Sequence, residues 1–201
     1  MFLSLNKKAM QKLLTYIHSL TGFSPESWEA LQPALRKVTF EEGEYLLKEG
    51  DVCSSLFFIY EGAVRSYYDT EGTENNTAFH FEGEIATNIT SFGTGEASKY
   101  YIQAIEPVTV IVFDRQKLSE IGDIVPQIAI LAKNCLRYTA AKLEEYASLF
   151  TLYSPTERYS YFERHEPHVL QRVPQTQLAS FLGVARNTFN RIRSRRVENV
   201  L

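Results

Sequence analysis

The sequence is poor in cysteine, with Cys53 and Cys135 as its only two. Two thiols cannot supply the four thiolate ligands of an all-cysteine zinc or iron–sulfur site. Because structural disulfides are rare in cytosolic proteins, we expect both thiols to be free. The chain also lacks any run of about 18 apolar residues, which excludes an ordinary transmembrane helix.

The N-terminal segment lacks the features of a signal peptide. Lys7, Lys8 and Lys12 interrupt its apolar residues, and no small-residue cleavage site follows them. The apolar residues there recur at helical spacing, which predicts a short helix. We therefore expect a soluble, cytoplasmic protein that has no membrane partner.

The chain has little net charge, −3, but the charge is distributed unevenly. Residues 153–201 carry eight arginines and four glutamates, a net charge of +4. The other 152 residues carry 13 basic and 20 acidic residues, a net charge of −7. A cationic C-terminal segment in an otherwise acidic chain indicates that only this segment binds a polyanion. A solvated basic helix would show the same charge.

The middle of the chain has the pattern of an antiparallel sheet protein. Between residues 38 and 113, short apolar or alternating runs are separated by glycine and by Asp or Asn turns, which favours a sandwich or barrel. The run TVIVFD (109–114) is almost wholly apolar and predicts a central strand. Before the sheet, SPESWEALQPAL (24–35) predicts a short helix with a serine cap and an early proline.

A long helix is predicted over residues 124–153, where the apolar period lengthens. It carries two apolar stripes, more than a surface helix needs, so one stripe could face a partner helix. Burial of the whole helix inside one chain is the alternative. The stripes consist of Ile128, Leu131, Cys135 and Tyr138, and of Leu136, Ala140, Leu143, Ala147 and Phe150.

Residues 174–193, PQTQLASFLGVARNTFNRIR, have the pattern of a helix-turn-helix. Ala179 is small enough to let the second helix approach the first, and Gly183 can adopt the left-handed conformation of a tight turn. The apolar residues that would hold the two helices together are Leu178, Leu182, Val184, Phe189 and Ile192.

The polar residues of this motif suit duplex DNA. Arginine can pair with a guanine edge and asparagine with an adenine edge, so base readout is assigned to Arg186, Asn187, Asn190 and Arg191. Phosphate contacts are assigned to Gln175, Thr176, Thr188, Arg193, Arg195 and Arg196. A helical hairpin with a basic solvent face is the alternative, but it does not explain why Arg and Asn gather at the start of the second helix.

These motifs together resemble the Crp/Fnr family of bacterial transcription regulators, from about residue 20 to residue 196. Residues 186–192, RNTFNRI, match the family's Arg-x-Thr-x-x-Arg-Ile recognition pattern, and residues 43–65 look like the first hairpins of its β-roll. The resemblance implies an α+β protein whose antiparallel double-stranded β-roll, of the cyclic-nucleotide-binding jelly-roll type, carries flanking helices. The implied domains are the roll (1–123), a long dimerisation helix (124–153) and a helix-turn-helix domain with a truncated wing (154–201).

The resemblance also implies a ligand site in the roll, from which this sequence departs. Family members that bind nucleotides have a Gly-Glu pair, a short helix and then Arg-Ser. Here Gly83-Glu84 is present, but Ser98-Lys99 stands where Arg-Ser is expected, so Glu84, Ser98 and Lys99 are the ligand candidates. Without the arginine a cyclic phosphate loses a bidentate contact, and we do not expect cyclic AMP binding.

The sequence gives little support for two other sensory groups of such regulators, an iron–sulfur cluster and haem. Two cysteines exclude an iron–sulfur cluster. His80 is the only histidine in the roll, and a lone strand histidine is commonly structural, so haem is not expected.

The sequence leaves the effector and the regulatory partners open. The resemblance implies double-stranded DNA, a second copy of this chain and RNA polymerase as partners, with an unidentified small-molecule effector in the roll. The last residues, VENVL, are too short for the family's β-hairpin wing, unless strands before Val173 replace it.

Two other functions stay open. The helix-turn-helix could contact protein while the roll binds a small molecule. A cupin-type enzyme needs a His-x-His metal set that His80 does not form; we therefore predict a protein that is not an enzyme, with no catalytic residue and no metal ligand.

Overall fold

A computed structural model describes the backbone of residues 7–198 and the side chains of residues 10–195. The helices in this range are α1 Lys7–Leu20, α2 Pro25–Leu31, α3 Ile89–Thr94, α4 Arg115–Gly122, α5 Pro126–Leu152, α6 Pro155–His165, α7 Pro167–Arg172, α8 Gln175–Phe181 and α9 Arg186–Glu198. The strands are β1 Leu35–Phe40, β2 Tyr45–Leu47, β3 Ser55–Glu61, β4 Val64–Thr70, β5 Thr73–His80, β6 Ile85–Ala86, β7 Tyr101–Ala104 and β8 Val108–Asp114.

The strands form two four-stranded sheets, in the orders β1-β8-β3-β6 and β2-β7-β4-β5. Strand β8 pairs antiparallel with β1 on one side and with β3 on the other, so the predicted central strand is confirmed. The predicted α+β fold class is confirmed as well. Successive residues of β3 from Ser55 to Tyr60 are buried, as expected for a strand covered on both faces.

One glycine of the β3–β4 turn is required by sterics. Gly62 has a φ of 91°, and a Cβ atom added there would lie 2.4 Å from the carbonyl oxygen of Pro107. Any side chain at this position would therefore push the turn away from the chain before β8, which would disturb the hairpin that starts β4.

The helices around the sheets follow local signals. The Ser24 hydroxyl accepts a hydrogen bond from the backbone N–H of Ser27 and caps α2, as the sequence indicates. Helix α1 buries Leu13 and Ile17 in the core. Helix α4 was not predicted; it begins after Asp114, whose carboxylate accepts from the backbone N–H of Lys117.

The two apolar stripes of helix α5 are only partly buried. In the first stripe Ile128, Leu131 and Cys135 are buried, whereas Tyr138 is 51% exposed. In the second stripe, Leu136, Leu143 and Phe150 are half-buried, and Ala140 and Ala147 are exposed. The helix therefore keeps apolar surface that this chain does not cover.

The described residues after α5 form the helices α6 to α9, separated by short turns and loops. Ser154 and Glu157 form a reciprocal capping box at the start of α6. The expectation of strands before Val173 was wrong, because residues 167–172 form α7, with Pro167 in its first turn, where a missing N–H costs nothing. The predicted truncated wing falls on residues 197–201, most of which lie outside the described residues.

The chain divides into two compact units. One contains the described residues up to Arg65 together with His80–Lys142, and the other contains Ser66–Phe79 together with the described residues from Leu143 onward. The dividing line runs through α5 because the β4–β5 hairpin packs with the C-terminal helices. The domain limits at residues 123 and 153 stay a prediction. Across residues 7–198, no helix has both the length and the apolar character needed to cross a bilayer.

Candidate nucleic-acid interface

The helix-turn-helix is built from α8, a glycine turn and α9. Gly183 has a φ of 70°, and its N–H donates to the Ser180 carbonyl at 3.0 Å. The N–H of Val184 donates to the Ala179 carbonyl at 3.0 Å. These two bonds close the end of α8, and only a residue tolerant of positive φ can stand at the turn.

A buried face fixes α8 against α9. Leu178, Leu182, Phe189 and Ile192 are buried, and Val184 is half-buried. This is the predicted apolar set, and it leaves the opposite face of α9 for solvent.

An aromatic cluster around Phe181 supports the motif from the other side of α8. The Phe181 ring lies 5.0 Å from Phe79, 5.2 Å from Phe150, 5.3 Å from Phe162 and 5.5 Å from Tyr146, measured between ring centroids. Sequence reasoning missed this cluster because its members are scattered over the β4–β5 hairpin and three helices.

Arg158 is a structural arginine within the cationic end of the chain. Its guanidinium donates to the carbonyl oxygens of Tyr153, Leu182 and Phe150 at 2.9, 3.0 and 2.7 Å. It also lies over the Phe150 ring at 4.7 Å. The side chain therefore ties the end of α5 to the turn of the helix-turn-helix and is not available as a phosphate ligand.

The residues assigned to base readout lie on one side of α9. Arg186, Asn187 and Arg191 are exposed, whereas Asn190 is half-buried and its Oδ1 atom is buried without a hydrogen-bond partner. At 3.6 residues per turn, the four positions fall within an arc of about 140°. The structure therefore brings together the three exposed side chains and turns the amide oxygen of Asn190 partly inward.

The residues assigned to phosphate contacts lie at the edges of this arc. Thr176 shares a groove with Arg186, and Thr188 shares a second groove with Arg191 and Arg195. Gln175 and Arg193 line a third groove, beside the loop that connects α7 to α8. The side chain of Arg196 lies outside the described residues.

The structure adds two residues to this surface. Thr156 and Ser160 of α6 line the same groove as Thr188, Arg191 and Arg195. The capping box at Ser154 was the available signal, because it marks a helix start whose first backbone N–H groups are unpaired within the helix.

The ligand candidates in the roll do not form one site. Glu84 lies in the turn before β6, where its carboxylate accepts from Lys142 Nζ at 2.6 and 2.7 Å. Lys99 is exposed, and Ser98 is buried before β7. The residues directly before α3 are Thr87 and Asn88, so Gly83-Glu84 lies one strand earlier than the family's nucleotide pattern requires.

The short helix α3 is held by its own polar side chains. Asn88 accepts from the N–H of Ser91 at 3.1 Å and donates to the Ser98 hydroxyl at 2.8 Å. The Ser91 hydroxyl accepts from the N–H of Cys53, and the Ser98 hydroxyl donates to the Tyr100 carbonyl. These buried groups satisfy one another and present no cation to a phosphate.

Both cysteines are free and buried. Burial raises the pKa of Cys135 to about 12, so this thiol stays protonated and is not a reactive nucleophile. In the part of the chain that the structure describes, no cluster of three or more His, Cys, Asp or Glu residues is placed to hold a metal ion.

Comparison with known proteins agrees with this architecture. Residues 37–124 match the family described as the cyclic nucleotide-binding domain. The transcriptional activator protein FnrA of Stutzerimonas stutzeri is 26% identical over 176 residues, which cover 80% of this chain and 70% of that protein.

Two solved structures share the fold. FixK2 from Bradyrhizobium japonicum superposes with a TM-score of 0.67 at 19% identity, covering 82% of this chain and 85% of that chain. The c-di-GMP-responsive regulator CLP from Xanthomonas campestris has a TM-score of 0.68 at 14% identity, covering 89% of this chain and 94% of that chain.

The β-roll, the long helix and the helix-turn-helix define a transcription regulator with a domain of the cyclic-nucleotide-binding type. The chain contains a domain of the cyclic nucleotide-binding family and is similar to an Fnr-type activator over 80% of its length, so the resemblance seen in its sequence is confirmed.

Proposed function

We propose that this regulator binds double-stranded DNA as a homodimer, with the two α9 helices in successive major grooves of a pseudo-palindromic site. Half-sites one helical turn apart, about 34 Å, suit two such helices. The observation that carries the proposal is the exposed arc of α9, with Arg186, Asn187 and Arg191 on a scaffold whose apolar face is buried.

The roles within the interface follow from position. Side chains on the arc of α9 reach base edges, where arginine and asparagine make bidentate pairs. The hydroxyls and arginines in the flanking grooves hold phosphates and set the register. Thr156, in the first turn of α6, and Ser160, one turn further on, extend the phosphate contacts along the DNA backbone.

The regulatory part of the proposal concerns the roll and α5. Helix α5 contains residues of both compact units, and we assign to it the transmission of an effector signal to the helix-turn-helix. We assign to the roll a small-molecule effector, and to the complex on DNA a contact with RNA polymerase. The proposal includes no catalytic step.

The test is the salt dependence of binding to bulk duplex DNA. The slope of log K against log salt is about −0.9 per phosphate contact, so binding by a dimer weakens steeply between 50 and 200 mM salt. The double substitution Arg186→Ala and Arg191→Ala should weaken binding at least about tenfold, because it removes two exposed cations from the surface that meets DNA.

A matched control keeps the same change of charge. Arg36→Ala with Lys117→Ala removes two exposed cations from the roll and should leave DNA affinity within about twofold. DNA binding that is absent at low salt, or that is unchanged by the α9 substitutions, would overturn the proposal and favour a helix-turn-helix that contacts protein.

A further inference from the structure

A small cavity lies inside the first compact unit, away from α3 and its polar network. Its walls come from α1, the end of β5, the β5–β6 turn, β6 and the middle of α5. The Tyr16 ring forms one wall and packs on Phe58 at 5.0 Å, and Tyr138, which is 51% exposed, stands at the opening. The cavity is therefore a half-open pocket between helices and strands of this unit, with the exposed Tyr138 as part of its lining.

One polar atom on this wall has no partner. His80 is 3% exposed, and its Nδ1 atom makes no hydrogen bond to any described residue. The nearest carboxylate oxygen, Oε2 of Glu84, is 4.0 Å away, beyond hydrogen-bond distance. Because a buried polar group without a partner is rare in native proteins, a hydrogen-bonding group in the cavity would satisfy this nitrogen.

The wall carries no net charge. Glu84 and Lys142 are paired at 2.6 Å, so their charges cancel, and the side chains that remain are aromatic, aliphatic or neutral. Burial is the main cause that lowers the pKa of His80 to about 4, with Lys142 adding to the effect, so the imidazole is neutral near pH 7. A charged ligand would lose its hydration here without gaining a counter-ion.

The size of the cavity limits the ligand further. Its volume is about 230 Å³. At roughly 30 Å³ for each water-sized group, this suits about seven to eight non-hydrogen atoms, far fewer than a nucleotide or a porphyrin has.

We propose that this cavity binds a small, uncharged aromatic molecule with one hydroxyl or N–H group, which pairs with Nδ1 of His80. A hydroxyl fits either tautomer of the imidazole, because it can donate or accept. The apolar body of the ligand lies between Tyr16 and Ile85. The chemistry of this site defines the class of molecule that could act as an effector. Ligand binding at the site does not depend on DNA binding.

Phenol and toluene are the matched probes, since both have seven non-hydrogen atoms and only phenol has a hydroxyl. Each is titrated into the full chain without DNA, and the histidine side chains are followed in ¹H–¹⁵N spectra. Phenol should shift the His80 ring signals and bind about tenfold more tightly than toluene, the factor expected for one hydrogen bond to a buried group.

Substitutions place the binding at this cavity. His80→Phe should reduce the preference for phenol to less than about twofold, whereas His18→Phe, the same change at an exposed histidine, should keep it. Where His80→Phe does not fold, His80→Gln retains a hydrogen-bonding side chain at the site and should keep part of the preference.

Equal affinity for phenol and toluene would overturn the proposal. So would His80 signals that do not change at millimolar phenol, because water alone would then satisfy the nitrogen. Since the titration contains no DNA, its result can be interpreted even if the protein does not bind DNA.

Discussion

At the scale of single residues, His80 couples the stability of the roll to pH. Its pKa is about 4 in the folded chain, well below the ordinary histidine value near 6.5, chiefly because the ring is buried. The unfolded chain therefore binds a proton more readily than the folded chain between these two values. The free energy of unfolding must fall as pH falls through this window.

The predicted size of the effect is about 2 kcal/mol between pH 7 and pH 5, at ~1.4 kcal/mol for each unit of pKa difference. His80→Gln should remove this component, so that the variant loses less stability on acidification than the wild type. Urea unfolding at the two pH values measures the difference. His18→Gln is the control, and parallel losses in wild type and His80→Gln would contradict the prediction.

At the scale of elements, the turn between α8 and α9 depends on one backbone conformation. Gly183 has a φ of 70°, and an added Cβ would meet only the Arg158 guanidinium, at 3.5 Å. The cost of a side chain there is therefore backbone strain and not a clash. Gly183→Ala should lower the free energy of unfolding by about 1 kcal/mol.

The comparison for Gly183 is Gly93, in the last turn of α3, where an added Cβ meets nothing within 4 Å. Gly93→Ala should be neutral or stabilising, by up to about 1 kcal/mol, because alanine favours helix. Denaturant unfolding of both variants checks the contrast. Equal destabilisation by the two substitutions would argue against a special conformation at the turn.

At the scale of the whole molecule, α5 presents the apolar surface that a second copy would cover. Ile130 lies on the side of α5 opposite the buried Ile128 and is 47% exposed. Ile130→Asp should weaken dimerisation at least about tenfold, because a buried carboxylate without a partner opposes association. Sedimentation velocity over a range of concentrations measures the change.

The control for dimerisation is Ile124→Asp, which makes the same change at a side chain 82% exposed and just outside α5. This variant should associate like the wild type. Unaltered association of Ile130→Asp would place the dimer contact elsewhere on the chain.

Local sequence signals were sufficient to predict most elements and the motif that we propose binds DNA. The Ser24 cap, the short apolar runs and the Ala179–Gly183 spacing each act within a few residues, so pattern alone predicts α2, most of the strands and the helix-turn-helix. The start of β1 at Leu35 and the two-residue strand β6 were not predicted. The charge asymmetry likewise needs no structure, because it is a property of composition.

Features made by distant residues could not be found in this way. Lys142 pairs with Glu84, which lies 58 positions away in the chain. Arg158 donates to three carbonyl oxygens near the C-terminal ends of α5 and α8, and His80 lines one cavity together with residues of α1 and α5. The reason is physical: burial, pairing and cavity volume depend on which side chains packing brings together, and no local pattern records that. The tertiary structure therefore decides that Arg158, in the cationic end, has a structural role. It also decides that His80, in a strand, supplies a polar group to the wall of a cavity.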